Sequence, residues 1–122
     1  MDSYYVKACF GAYGVYAVQM LFTPEKMVTD HFDSPATPMT TFWIRGHAVT
    51  LGALCYTATL LPTADAVKLG AGLSLGIGLL YPWNAKFGYI TPGLPVKYPM
   101  HYFPELLMLA LTAAGGYLAL TN

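Results

Sequence analysis

Apolar positions along this chain fall into four long runs, separated either by a tight turn or by proline-rich polar segments. The runs are Tyr4 to Phe22, Thr40 to Leu61, Ala64 to about Trp83, and Phe103 to Leu120. Each is close to the ~20 mostly apolar residues that a helix needs to cross a hydrocarbon core. Polar residues do not recur along them at helical spacing, so the helices lack the wet face that a soluble bundle requires. The pattern predicts an all-α integral membrane bundle of four transmembrane helices (about 4–22, 40–61, 64–83 and 103–120). One such domain spans residues 1–122.

The ends of the runs carry their own signals. Thr23-Pro24 stops the first and Pro62 stops the second. Thr63 and Asp65 offer a cap for the third, and Pro104 sits in the first turn of the fourth, where proline is tolerated. Leu61-Pro62-Thr63 is too short for anything but a tight turn, so spans two and three should form a hairpin. Residues 23–39 and 84–102 are longer, and they hold or border seven of the nine prolines: Pro24, Pro35, Pro38, Pro82, Pro92, Pro95 and Pro99. Phe87, Tyr89, Tyr98, Tyr102 and Phe103 suit a segment lying along a membrane surface.

Parity then places groups in space. With four spans, both long connections lie on one side, and the termini with the short turn lie on the other. His31, Trp43, Arg45, His47, Trp83, His101 and Glu105 therefore gather near one face, with both tryptophans in its interfacial belt. Lys26, Arg45, Lys86 and Lys97 lie on that side against Lys7 and Lys68 on the other, which favours the long connections facing the side of insertion.

Composition agrees with the runs. Charged residues are only 10% of the chain and apolar residues 56%, against about 25% charged in soluble domains. Six basic residues balance six acidic ones, which leaves no electrostatic footprint for nucleic acid. Cys9 and Cys55 lie inside apolar runs and read as inert thiols. No cluster offers the four ligands of a zinc site, so no metal site is expected. Asp2, and a Lys7 set inside the first run, do not fit a secretory leader, and the segment reads as the first helix of the mature chain.

Arg45, the single arginine, lies about 7–8 Å into the second run at about 1.5 Å per residue. It either snorkels to lipid phosphate or pairs with Glu105, which opens another helix at the same face. His47 most simply hydrogen-bonds a neighbouring helix. A neutral imidazole there can also ligate the magnesium of a chlorophyll, and haem between two histidines lacks a facing partner. With His101, these residues make up the candidate cofactor-binding set: His47, Arg45, Glu105 and His101, contacting pigment, quinone or lipid. No spacing among them compels catalysis, and no charge lies at the midplane as in a transporter. Gly70, Ser74 and Gly78 recur every four residues, with Gly72 and Gly76 on another face. Such rows permit close helix approach, and Ala8, Gly11, Gly14 and Ala17 on span one and Ala110, Ala113, Ala114 and Gly116 on span four are possible counterparts.

TPEKM after span one and FWIRG opening span two, in a four-span body of this size, resemble small membrane proteins of the DoxX-like type. That resemblance implies a free-standing protein with a quinone or lipid pocket. In size, charge balance and proline-rich connections, the chain is also similar in kind to accessory subunits of algal photosystems and protist respiratory complexes. This second likeness implies a non-catalytic subunit, packed among other integral membrane subunits and lipids, with chlorophyll or bound lipid as cofactor. The thylakoid membrane is then favoured over the mitochondrial inner membrane.

Overall fold

A computed structural model describes residues 1–121. It is helical throughout apart from turns and one isolated bridge. Four long helices, α1 (Asp2–Phe22), α3 (Pro38–Leu60), α4 (Thr63–Leu80) and α6 (Tyr102–Thr121), are accompanied by two short ones, α2 (Pro24–His31) and α5 (Pro82–Phe87). α2 lies within the first long connection, whereas α5 takes the last two residues of the run expected at 64–83, which ends instead at Leu80, and continues into the second connection. In both cases a proline sits at the first helical position, where its missing N–H costs nothing.

Two segments, Thr63–Phe87 and Tyr102–Thr121, are long and apolar enough to cross a membrane. In each, only 28% of the most apolar window is buried, so most of its greasy surface faces outward. α1 and α3 have the length, but their polar residues hold down their average apolarity. These are Lys7 and Gln19 with the tyrosines in α1, and Arg45, His47 and the threonines Thr40, Thr41, Thr50, Thr57 and Thr59 in α3.

The helices begin and end for local reasons. Thr37 caps α3, accepting from the Thr40 N–H at 3.1 Å with Pro38 behind it, so the helix starts two residues before the expected Thr40. The expected Thr63/Asp65 cap does not form: Pro62 precedes α4 and no side chain caps it. Pro82 cannot continue α4, and the chain breaks at Tyr81 before resuming as α5. Gly88 ends α5 at φ 67°, a left-handed position that suits glycine.

α1 is the centre of the assembly. α3 packs along one side of it, while α4 and α6 pack closely on each other and meet α1 on the other side. The expected α3–α4 hairpin is joined by its tight turn, yet the two helices scarcely touch. The seam is built from α1 residues four apart: Tyr5, Cys9, Tyr13 and Ala17. Tyr5, Cys9 and Tyr13 meet Gly70 and Ser74 of the α4 row, and its third member, Gly78, is met by the Trp83 ring. A Cβ at Gly70 would lie 3.1 Å from Cys9 Sγ and 3.2 Å from the Tyr5 ring, so glycine is what lets the tyrosine in. Tyr13 OH and Ser74 Oγ are hydrogen-bonded at 2.5 Å, and Tyr5 OH donates to the Leu111 carbonyl of α6 at 2.9 Å. Tyr5 and Tyr13 thus deliver apolar bulk and satisfied polar tips together.

The counterpart rows differ from expectation. On α6 the packed glycine is Gly115, pressed against the Tyr5 hydroxyl, while Gly116 meets open space and Ala113 and Ala114 are exposed. On α1, Ala8 and Gly11 face outward. Small residues are useful only opposite a large one, and here α1 supplies the large side chains.

Candidate functional site

The two long connections do lie at one end of the bundle, and they fasten to each other. Phe32 and Val96 form an antiparallel bridge. The Asp33 N–H donates to the Pro95 carbonyl at 2.7 Å and the Lys97 N–H to the His31 carbonyl at 2.8 Å. The Lys97 ammonium reaches the Thr29 carbonyl at 3.0 Å. Asn84, almost wholly buried, organises the turn after α5. Its carbonyl oxygen accepts from the N–H groups of Ile90 and Thr91 at 2.8 and 2.9 Å, and its amide donates to Leu80 O and Thr91 Oγ1.

Beneath this cap lies a buried polar cluster. His101 is 0% exposed and Glu105, one turn on, is 6% exposed. His101 Nδ1 and Glu105 Oε2 are 2.5 Å apart. Tyr98 OH donates to the same oxygen at 2.7 Å, and the Lys86 ammonium lies 3.3 Å from Oε1. Lys86 also donates to Tyr98 OH at 3.0 Å and rides over the Tyr98 and Tyr102 rings. Partial burial pushes the Tyr98 hydroxyl above its ordinary titration range; the Lys86 ammonium opposes this and the Glu105 carboxylate adds to it.

The first turn of α6 is anchored from behind. Removing the side chain at Gly78 makes room for the Trp83 ring, which a Cβ there would meet at 2.8 Å. The Trp83 indole N–H then donates to the Glu105 carbonyl at 3.1 Å. Trp83, expected in the interfacial belt, is therefore a half-buried positioning group, whereas Trp43 is exposed as a belt residue would be.

His101 is boxed by the rings of His31, Phe32, Tyr81 and Tyr98, all in edge-on contact with centroids 5.4–6.3 Å away. Its Nε2 is buried without a hydrogen-bond partner. With Nδ1 turned to the Glu105 carboxylate, Nε2 is left inside the ring of aromatic side chains. The rings close tightly around it, and no group of three metal-ligating side chains exists among the described residues.

Of the four residues singled out from sequence, the structure joins two, His101 and Glu105. The Arg45–Glu105 pair, one of the two readings of Arg45, is absent. Glu105 is taken by His101, Tyr98 and Lys86, whereas Arg45 Nε donates to the Leu21 carbonyl at the end of α1, 3.2 Å away. The reason is the arrangement of helices: α3 lies against α1, away from the α4–α6 pair. His47 is exposed on α3, far along the chain from any cluster partner. Lys86, Tyr98 and Trp83, which complete the site, could not be picked out because their contacts depend on the break at Pro82 and the fold of the cap.

One apolar groove of about 480 Å³ runs beside the cluster, lined by Pro99, Tyr102, Phe103, Leu106 and Leu107. A smaller one of about 230 Å³ lies on the cap between Thr29, Phe32, Asp33 and Lys97. Compared with known families, curated proteins and solved structures, the chain matches none of them. The DoxX-like resemblance therefore stands on its short motifs alone.

Proposed function

We propose that this chain is a four-span integral membrane protein that serves as a non-catalytic accessory subunit of an energy-transducing complex. The observation that carries the reading is the unequal use of the α4 rows. Gly70, Ser74 and Gly78 are filled by α1 and Trp83, while Gly72 and Gly76 have nothing within 4 Å of where a Cβ would stand. One row is satisfied within the chain and the other is left open, with Leu75 and Leu79 exposed beside it. In a bilayer, where small residues promote helix contact, an open row suits a neighbouring subunit. The self-fastened cap and the buried, tightly boxed His101–Glu105 pair suit a structural role. His47, exposed on the outer face of α3, is available to a pigment, and this supports a photosystem of the thylakoid ahead of a respiratory complex.

A mild-detergent native gel of the source membranes, with an absorption spectrum of each band, tests this. Migration in a large chlorophyll-bearing band is the expected outcome. A respiratory band would move the subunit to the mitochondrial inner membrane. Migration alone at small size would remove the subunit reading.

A second reading, a free-standing protein with a quinone or lipid pocket, draws on the apolar groove along α6 next to Glu105. Arg45 takes no part in that groove.

A further inference from the structure

We infer that Arg45 is a binding site for the phosphate of an anionic phospholipid on the outer face of the α1–α3 pair. The inference rests on the membrane-embedded reading above. α1 ends at Phe22 and its chain leaves the helix at Thr23. Arg45 Nε is held by the Leu21 carbonyl, so the guanidinium stands level with the end of α1 and with the interface there. That bond uses one of five N–H donors and fixes the plane of the fork; the two terminal nitrogens remain free.

No carboxylate pairs with Arg45 among the described residues, where the ion pairs are Lys26–Asp30, Lys86–Glu105 and His101–Glu105. The charge is exposed and uncompensated. Phe42 and Val49, three residues before and four after, share its helical face and are 66% and 67% exposed. A Cβ at the adjacent Gly46 would meet open space. A cation with its donor fork fixed, over an apolar face and next to an unfilled glycine, matches a phosphate at the headgroup with acyl chains below it. A role limited to capping the α1 carbonyl predicts no preference between lipid headgroups.

The purified full chain in mild detergent is mixed with phosphatidylglycerol or phosphatidylcholine, and retained lipid is counted by native mass spectrometry. The expected result is about fivefold preference for phosphatidylglycerol, the size of one basic contact at an anionic surface. Arg45→Gln should abolish the preference, Arg45→Lys should keep part of it, and Lys26→Gln should leave it intact. Equal retention of the two lipids by the wild type overturns the inference, as does full preference in Arg45→Gln. Displacement by millimolar inorganic phosphate would make the site one for free phosphate and overturn it likewise. If Arg45→Gln does not fold, the wild-type preference and the Arg45→Lys variant decide. Alkaline carbonate extraction of the source membranes is run alongside. Release of the chain removes the membrane reading itself, whereas an embedded chain without lipid preference removes only this inference.

Discussion

Glu105 is the acceptor shared by His101, Tyr98 and Lys86, so its removal leaves three donors without a partner, one of them fully buried. Glu105→Ala should destabilise the protein by about 2–3 kcal/mol, the cost of stranding buried polar groups. His101→Phe keeps the aromatic box filled and deletes the unpartnered Nε2, so it should cost less than half as much. Thermal unfolding of the purified variants in one detergent compares them, and equal losses would show that the box, not the polar pair, does the holding. At this scale the sequence was only partly legible. His101 and Glu105 stand one helical turn apart, and their pairing follows from spacing. Of the two readings of Arg45, the pairing with Glu105 does not form, because depth in a membrane says nothing about which helices are neighbours. Asn84 gave no sign at all; a lone asparagine acquires its role only when the chain after α5 turns back over it.

Between elements, the decisive feature is which glycine faces a tyrosine. Gly115 touches the Tyr5 hydroxyl and Gly116 touches nothing. Gly115→Ala should push Tyr5 out of its bond to Leu111 and cost about 1–3 kcal/mol, as overpacking does. Gly116→Ala should be neutral or gain up to about 1 kcal/mol from helix propensity. Detergent unfolding of the pair measures the difference, and similar values would show that the α1–α6 approach is looser than described. On α4, Gly72→Leu should leave the isolated chain as stable as before but release it from its native-gel band, because its row is unfilled within the chain. The four apolar runs, their proline stops and the buried row of α4 were legible, since these depend on local pattern. The matching faces of α1 and α6 were not. Small residues on them looked like the contact, whereas the large residues opposite small ones made it.

For the whole molecule, the cap gathers both long connections at one end of the bundle. Ser34 and Gly93 belong to segments that are bridged to each other, and Thr63 lies in the turn at the opposite end. With the native thiols Cys9 and Cys55 buried or partly so, single cysteines introduced at these three places can be labelled in sealed vesicles with an impermeant maleimide. Ser34→Cys and Gly93→Cys should react from one side and Thr63→Cys from the other. Labelling of all three from one side would rule out the four-span arrangement. That both long connections lie at one end of the bundle was legible by counting the apolar runs. That each connection contains a helix was not, because Pro24 read as a stop and Pro82 fell inside the third run, although each is a first helical residue.

The slight contact between α3 and α4 has a consequence for how the chain comes together. Residues up to Leu61 form one associating half, in which α3 rests on α1, and residues from Pro62 form the other, in which α4 rests on α6. The polypeptide between them is a tether that contributes little packing. The halves meet through the α1 tyrosines and the bridge between Phe32 and Val96, so they should behave as two separable folding partners. Fragments 1–61 and 62–122, expressed from separate messages, should find each other in the membrane and copurify. Tyr13→Ala should then weaken the reunion far more than it weakens the uncut chain, because severing the tether leaves that seam to hold the molecule alone.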